Sequence, residues 1–197
     1  MSRGERGAHM PGTLYEGDGR YGFIAIYEGA LRGEPVRALR RDTNNESAVY
    51  RDSYDSVFEY MQIAEAYTKR MPEDATVLML GGGAYSLPRT LLARNPHVEI
   101  TVAEIEPSLF ALAQTYFAVP SSARLTNYVG DARAFLLSTD KQYDFLFQDT
   151  FGTDLTLPAH LATQEFYALL KEHVSPNGVV IVNYIGRLDG TPPTLTG

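Results

Sequence analysis

The chain has 197 residues, no cysteine and a formal net charge of −7, and a chain of this length can bury the core of one ordinary domain. The absence of cysteine excludes disulfide scaffolds, thiolate nucleophiles and cysteine-based zinc or iron–sulfur sites. The acidic balance argues against nucleic acid as a partner, and no apolar run approaches the roughly 20 residues that cross a membrane, so we expect no membrane insertion and a cytoplasmic location.

The N-terminal part of the chain predicts a disordered lead-in and a small β region. Residues 1–12 are rich in Gly and Arg and lack the apolar stretch of a secretory signal. Two β-like stretches, residues 22–27 and 35–39, flank a turn-rich segment and predict a β-hairpin. In residues 55–71 apolar side chains recur at helical spacing, which predicts an amphipathic helix that packs on the main domain.

Short apolar stretches alternate with helical patterns after Pro72. The predicted strands are residues 76–80, 98–103, 126–129, 143–148 and 178–183. Continuous apolar strands of this kind are typical of a parallel sheet that is covered on both faces. The sequence therefore predicts a doubly wound, Rossmann-like α/β domain over residues 55–197, preceded by the small β region over residues 13–54.

Two helices of this domain have recognisable starts. Pro107 suits the first helical position of residues 107–117, whose apolar side chains form one stripe. Thr163 is an N-cap candidate for a helix that runs to His173. Residues 191–197 carry little apolar pattern, so we expect further strands to be missing and the chain to be a fragment.

A glycine cluster, Gly81, Gly82 and Gly83, follows the first predicted strand and precedes a helix near Pro88. Glycine lets the backbone pass close to a ligand, and the helix N-terminus offers free N–H groups to a polar or anionic one. The pattern is an imperfect dinucleotide fingerprint, because Ser86 stands where a third Gly or Ala belongs. A simple tight turn is the alternative interpretation.

Glu104 lies at the end of the second predicted strand, 23 positions after Gly81. An acidic side chain at this place can accept hydrogen bonds from both hydroxyls of a ribose. The alternative is that Glu104 or Glu106 only caps the following helix. We favour Glu104 for the ribose because it ends the strand.

Two aspartates end the next two strands. Asp131, between Gly130 and Ala132, can accept a hydrogen bond from an adenine amino group, while Ala132 leaves room for the ring. Asp131 can equally be the N-cap of a helix over residues 132–137, and the two roles are compatible. Asp149 ends the fourth strand and so reaches the carboxyl edge of the sheet, where open α/β folds bind ligands.

Together these residues give the chain a resemblance to the spermidine synthase (polyamine aminopropyltransferase) family, which shares the Rossmann-like fold of S-adenosylmethionine methyltransferases. The resemblance covers about residues 39–190, through the blocks VLMLGGGAYSLPRTLLARNP, VAEIEPSLFALAQTYF, GDARAFL, YDFLFQDTFG and GVVIVNYIGRLDG. In particular the chain is similar to bacterial spermidine synthase-like domains that are often fused to transporter-like membrane segments.

The resemblance implies a site for S-adenosylmethionine or its decarboxylated form, without a metal. The implied nucleoside-binding residues are Gly81, Gly82, Gly83, Glu104, Ile105, Gly130, Asp131, Ala132 and Thr150. Asp149 matches the family's catalytic carboxylate, which takes a proton from the acceptor amine. The family also suggests a homodimer with contacts through the N-terminal hairpin.

Several positions depart from the family pattern. Ala84 replaces an Asp that faces the amino end of the donor's aminopropyl chain, which removes an attraction for that amine and a repulsion of the carboxylate of intact S-adenosylmethionine. Gly152 replaces a second acceptor-site Asp, with Asp154 nearby but out of register. Phe58 and Glu59 replace a Tyr-His pair.

The acceptor side is predicted from three further residues. Glu46 replaces a family Gln, and with Glu59 it could attract a cationic polyamine. His160 follows Asp149 in the chain and could line an acceptor pocket.

Three functions remain open. The first is aminopropyl transfer from decarboxylated S-adenosylmethionine to a polyamine-type amine. The second is methyl transfer from intact S-adenosylmethionine to a small acceptor, which Ala84 favours. The third is ligand binding without turnover.

Overall fold

The computed structural model describes residues 11–152 and 156–185. Within them the chain forms an antiparallel sheet of four strands followed by a parallel sheet of five strands with helices on both faces. The predictions for residues 1–10, Asp154 and residues 186–197 lie outside the described residues.

The N-terminal sheet is an up-and-down meander. Its strands, in spatial as well as chain order, are β1 (Thr13–Gly19), β2 (Gly22–Leu31), β3 (Glu34–Arg41) and β4 (Asn44–Tyr50). The predicted hairpin is confirmed as β2 and β3, but the sheet has two more strands. The sequence did not indicate β1 and β4 because β1 ends in Gly, Asp and Gly and β4 begins with two Asn. These residue types are depleted in strands.

The main sheet confirms the predicted doubly wound fold. Its strands are β5 (Thr76–Leu80), β6 (Glu99–Glu104), β7 (Leu125–Val129), β8 (Tyr143–Gln148) and β9 (Val174–Val182). All neighbours are parallel, in the order β7-β6-β5-β8-β9. The chain reverses its direction of travel across the sheet between β5 and β8, which is where such sheets bind ligands.

The helices follow the predicted alternation. They are α1 (Glu59–Thr68), α2 (Ser86–Arg94), α3 (Leu109–Tyr116), α4 (Ala132–Leu137) and α5 (Gln164–Glu172), with a short 3-10 helix at Ala159–Leu161. The Thr163 cap is confirmed, since its side chain accepts a hydrogen bond from the Phe166 amide. No helix among residues 11–152 and 156–185 is long and apolar enough to span a membrane.

The first helix begins later than predicted. Residues 55–58 are not helical, because Ser56 bridges to Val49 of β4 in an antiparallel pairing. The Ser56 hydroxyl also donates to the carboxylate of Glu65 at 3.0 Å. This tie holds the start of α1 beside the N-terminal sheet.

Both faces of the main sheet are buried, as the alternation of β5 shows. Val77 and Met79 pack with α1, α2, α3 and the N-terminal sheet, in a cluster that includes Ile24, Ile26, Leu39, Leu87 and Leu109. Leu78 and Leu80 pack on the other face with α4 and α5, in a cluster that includes Phe135, Leu146 and Phe166. The N-terminal sheet and the main sheet therefore share the first of these two clusters.

Polar contacts fix the N-terminal sheet over one end of the main sheet. The Arg37 guanidinium of β3 donates to the Tyr116 carbonyl at 2.7 Å. The Tyr21 amide, in the turn between β1 and β2, donates to Glu106 at 3.0 Å. These contacts set the position of β3 and β4 above the carboxyl ends of the parallel strands.

Candidate functional site

A pocket of about 270 Å³ lies at the carboxyl ends of the parallel strands, where the strand order reverses. The strand ends form its floor and residues of β3 and β4 form its roof. The predicted site residues that line it are Glu46, Gly81, Gly82, Gly83, Glu104, Ile105, Gly130, Asp131, Ala132, Asp149, Thr150 and His160. Residues predicted from separate strand ends are thus brought together in one cavity.

Glu59 is the exception, because it does not line this pocket. Its side chain is exposed and it is absent from the described pocket lining. It lies in the first turn of α1, whose buried positions include Met61 and Ala64, and a residue two positions before Met61 points away from that face. The neighbouring Phe58 and Tyr60 line the pocket instead.

The glycine cluster forms the turn between β5 and α2. Gly81 has φ +90°, and a Cβ at this position would lie 2.2 Å from the carbonyl oxygen of Asp149. Only glycine fits where the backbone is this close and φ is positive. A Cβ on Gly83 would lie 3.4 Å from Ser47 Cβ. The turn is therefore packed closely between the end of β8 and the roof strand β4.

Glu104 is buried at the end of β6 and faces this turn. Its Oε2 accepts a hydrogen bond from the Gly82 amide at 2.6 Å, and its Oε1 accepts one from the Glu106 amide at 2.8 Å. Glu106, rather than Glu104, makes the contacts at the start of α3, since its Oε1 accepts hydrogen bonds from the Ser108 amide and hydroxyl. Each oxygen of Glu104 has a further lone pair for a ligand hydroxyl.

Asp131 performs the helix-capping role that the sequence left open. Its Oδ1 accepts a hydrogen bond from the Ala134 amide at 2.9 Å at the start of α4. Its Oδ2 lies 2.7 Å from Nε2 of His160. Burial tends to raise the pKa of Asp131, but the contacts with His160 and the Ala134 amide outweigh it and lower the pKa. His160 therefore lines the pocket next to Asp131.

Asp149 is held between two neutral donors. Its Oδ1 accepts a hydrogen bond from Nδ2 of Asn183 at 2.8 Å, and its Oδ2 accepts a long one from the Tyr60 hydroxyl at 3.4 Å. Burial raises the pKa of Asp149, although both hydrogen bonds lower it. Burial and the charge of Asp149 also raise the pKa of Tyr60, so Tyr60 stays protonated and remains a donor. A carboxylate with a raised pKa is suited to accept a proton near neutral pH.

The roof contributes a buried ion pair. Arg41 Nε lies 3.1 Å from Oε1 of Glu46, with the side chains 7% and 15% exposed. The pair is not aligned as a hydrogen bond, and Arg41 Nε has no hydrogen-bond partner. Burial raises the pKa of Glu46 to about 7, against the lowering effect of Arg41 and with the help of the negative charges of Glu104 and Asp149.

Sequence reasoning missed Arg41, Tyr60 and Asn183, which also line the pocket. Asn183 directly follows β9, so the rule that located Glu104 and Asp149 at strand ends would have found it. Tyr60 falls within the helix predicted over residues 55–71, a pattern that indicates packing rather than a pocket. Arg41 belongs to a sheet whose position over the pocket the sequence does not indicate.

The positions that depart from the family pattern also have a place in the structure. Ala84 is fully buried and is not among the described residues that line the pocket. Phe58 lines it. No acidic group therefore stands at position 84 to oppose a ligand carboxylate.

Residues 58–184 match the family described as the spermine/spermidine synthase domain. Over 182 residues the chain is 34% identical to a probable polyamine aminopropyl transferase of Bifidobacterium longum, which covers 89% of this chain and 38% of that protein. It is 27% identical to a polyamine aminopropyltransferase of Vibrio vulnificus, covering 78% of this chain and 50% of that protein. The chain thus spans half or less of the length of these relatives.

A second class of relatives consists of methyltransferases. The chain is 31% identical over 124 residues to an N-terminal histidine N-methyltransferase of Emericella nidulans, covering 60% of this chain and 21% of that protein. Among solved structures, a probable spermidine synthase from Corynebacterium glutamicum superposes with a TM-score of 0.73 at 22% identity, over 85% of this chain and 62% of that one. That likeness concerns the fold.

Proposed function

Since the chain belongs to the spermine/spermidine synthase domain family, we propose that its pocket binds an adenosyl sulfonium nucleoside and transfers an alkyl group from it to an amine. The observation that carries this proposal is the position of Asp149. It lies in the same cavity as Glu104 and the glycine turn, it is half-buried, and its pKa is raised by desolvation. This combination provides a proton acceptor next to a nucleoside-sized recess.

The nucleoside would lie along the floor of the pocket. Glu104 offers its remaining lone pairs to the ribose hydroxyls, and its carboxylate is already oriented by the Gly82 and Glu106 amides. Ala132 is small enough to leave room for the adenine ring beside Asp131. Each oxygen of Asp131 already has one partner, so an adenine amino group would donate to a remaining lone pair of one of them.

The chemical step needs a base, because an ammonium group has no lone pair with which to attack carbon. Asp149 takes a proton from the acceptor ammonium, and the nitrogen lone pair then forms a bond to a carbon attached to the sulfonium. The carbon–sulfur bond breaks, its electrons go to sulfur, and a neutral thioether leaves. Asn183 and Tyr60 hold Asp149 in a fixed orientation during this step.

The first candidate for the transferred group is aminopropyl, moved from decarboxylated S-adenosylmethionine to a polyamine-type acceptor. The family and the relatives named as aminopropyltransferases support it. The pocket also carries four carboxylates, at Glu46, Glu104, Asp131 and Asp149. Such a lining attracts ligands with several positive charges.

The second candidate is methyl transfer from intact S-adenosylmethionine. Two observations favour it, the buried Ala84 where a carboxylate would repel the donor's own carboxylate, and the guanidinium of Arg41 in the pocket. The methyltransferase relatives support it as well.

The test is to incubate the 197-residue chain with each donor and with a diamine or triamine, and to identify products by mass spectrometry. The mass added to the amine distinguishes aminopropyl from methyl transfer. Asp149→Asn should lower turnover by a factor of about 10²–10⁴ while donor affinity is retained. Asp140→Asn is the control, because Asp140 is exposed and does not line the pocket.

Turnover by Asp149→Asn at the wild-type rate would show that Asp149 is not the base. Binding of either donor without any product would instead identify a ligand-binding domain. If no adenosyl ligand binds, the proposed function is wrong.

A further inference from the structure

The ion pair in the roof is unusual for a pocket of this charge. Among the described lining residues, Arg41 is the permanent cation, and it faces a cavity that also contains four carboxylates. A donor with two positive charges and a polyamine acceptor would both be repelled by a guanidinium. A role for Arg41 in binding such cations is therefore excluded on charge.

Arg41 is not fully satisfied by its partner. It is 6% exposed, yet its Nε has no hydrogen-bond partner and its contact with Glu46 lacks hydrogen-bond alignment. A buried guanidinium nitrogen without a hydrogen bond is costly, and so is a largely buried carboxylate that is only partly compensated. An incoming group that carries both charges would remove both deficits.

The strands that carry the pair lie over the glycine turn. The stem of Arg41 packs against Gly22, where an added Cβ would lie 3.0 Å from Arg41 Cγ. Ser47, next to Glu46 on β4, lies over Gly83. Glu46 lines the same pocket as Glu104 and Asp149, and the charges of both raise its pKa. It therefore lies near the proposed ribose and base positions, on the side of the pocket where the side chain of a sulfonium donor can extend.

We propose that Arg41 and Glu46 together bind the α-amino-carboxylate end of the donor's side chain, with Arg41 on the carboxylate and Glu46 on the ammonium. The inference rests on the proposed adenosyl sulfonium pocket and names its donor as the intact, zwitterionic one. A guanidinium can hold a carboxylate through charge-assisted hydrogen bonds, which are the strong ones. The decarboxylated donor has no carboxylate for Arg41, so the positive charge of its ammonium group is not offset beside the guanidinium.

A preference for the intact donor over the decarboxylated one also requires that no protein carboxylate repel the donor's own carboxylate. Ala84 is buried and apolar, so the glycine turn presents no carboxylate at that position against the donor's own. Preference for the intact donor would place methyl transfer ahead of aminopropyl transfer.

The experiment is calorimetric titration of the full chain with three ligands: S-adenosylmethionine, its decarboxylated form, and methylthioadenosine, which lacks the charged side chain. The variant is Arg41→Gln. The matched control is Arg40→Gln, which removes the same charge from the neighbouring residue of β3, a residue outside the pocket lining.

We expect the wild type to bind the intact donor at least about tenfold more tightly than the decarboxylated one. In Arg41→Gln the ratio should fall to about one or reverse, while the affinity for methylthioadenosine stays within about threefold of wild type. Arg40→Gln should keep the wild-type ratio. If Arg41→Gln does not fold, Arg41→Lys carries the test, because it keeps the charge beside Glu46 and loses the planar fork, and the ratio should fall several-fold.

The inference is overturned if the wild type prefers the decarboxylated donor, or if Arg41→Gln keeps the preference for the intact one. In both cases binding of methylthioadenosine leaves the proposed function standing. Failure of all three ligands to bind the wild type overturns both proposals.

Discussion

The floor and the roof of the pocket hold their charged groups in different ways. On the floor, backbone amides hold both oxygens of Glu104 and one of Asp131. In the roof, Arg41 and Glu46 face each other across an unaligned contact, and the pKa of Glu46 is near neutrality. Groups fixed by the backbone are suited to a part of the ligand that does not vary. A pair held mainly by mutual charge responds to what is bound.

The strongest test of this difference is Gly81→Ala on the floor. Its Cβ would lie 2.2 Å from the Asp149 carbonyl at a positive φ, so the free energy of unfolding should fall by about 2–5 kcal/mol. Denaturant unfolding measures it. The control is Gly29→Ala in β2, where a Cβ would meet nothing nearer than 3.9 Å. Similar stability of the two variants would mean that the floor is not rigid.

The next test is Glu104→Gln. Glutamine has one acceptor oxygen for the two backbone amides that Glu104 satisfies, and it would present an N–H donor to a ribose hydroxyl site. We expect affinity for methylthioadenosine, measured by titration calorimetry, to fall by about 10–100-fold.

The control for this variant is Glu99→Gln, on the same strand but exposed, which should leave the affinity unchanged. Glu46→Gln should also have little effect on a ligand without a charged side chain. A larger loss in Glu46→Gln than in Glu104→Gln would reverse the assignment of nucleoside contacts to the floor.

The smallest expected effect is the pH dependence that Glu46 adds to stability. Its pKa rises from 4.5 to about 7 on folding, so the folded chain holds a proton that the unfolded chain loses. Glu46 therefore does not lower the free energy of unfolding below pH 4.5. Between pH 4.5 and about pH 7 the loss of stability grows as the unfolded chain releases the proton, and above pH 7 the loss is constant. The free energy of unfolding of wild type should accordingly fall, relative to Glu46→Gln, by about 1–2 kcal/mol between pH 5 and pH 8.

Urea unfolding of both chains at these two pH values measures this difference. A difference that does not change with pH would show that Arg41 compensates Glu46 fully, and the contrast between roof and floor would then disappear.

The floor could be predicted from sequence because parallel strands place their carboxyl ends at one edge. Glu104 and Asp149 each end a recognisable apolar strand, and the fold brings any such residues together. The same regularity made the strand bounds of β5 and β8 predictable to the residue. Periodicity and position were sufficient here without knowledge of side-chain packing.

The roof could not be predicted in this way. Arg41 and Glu46 belong to an antiparallel meander whose position depends on contacts such as that of Arg37 with the Tyr116 carbonyl, 79 positions away. Glu46 was assigned to the site by resemblance alone, and the same reasoning also named Glu59, which does not line the pocket. Only the packing of α1 shows that Tyr60, rather than Glu59, reaches Asp149.

The distribution of pocket groups along the chain has a consequence for how such a protein can diverge. The floor draws on the ends of five strands, scattered over residues 81–183, whereas the roof pair lies within one continuous segment, residues 34–50. Under the role proposed for Arg41 and Glu46, a change of donor needs substitutions only within a single hairpin. The strand ends that form the floor can then be inherited unchanged while residues of that hairpin are replaced.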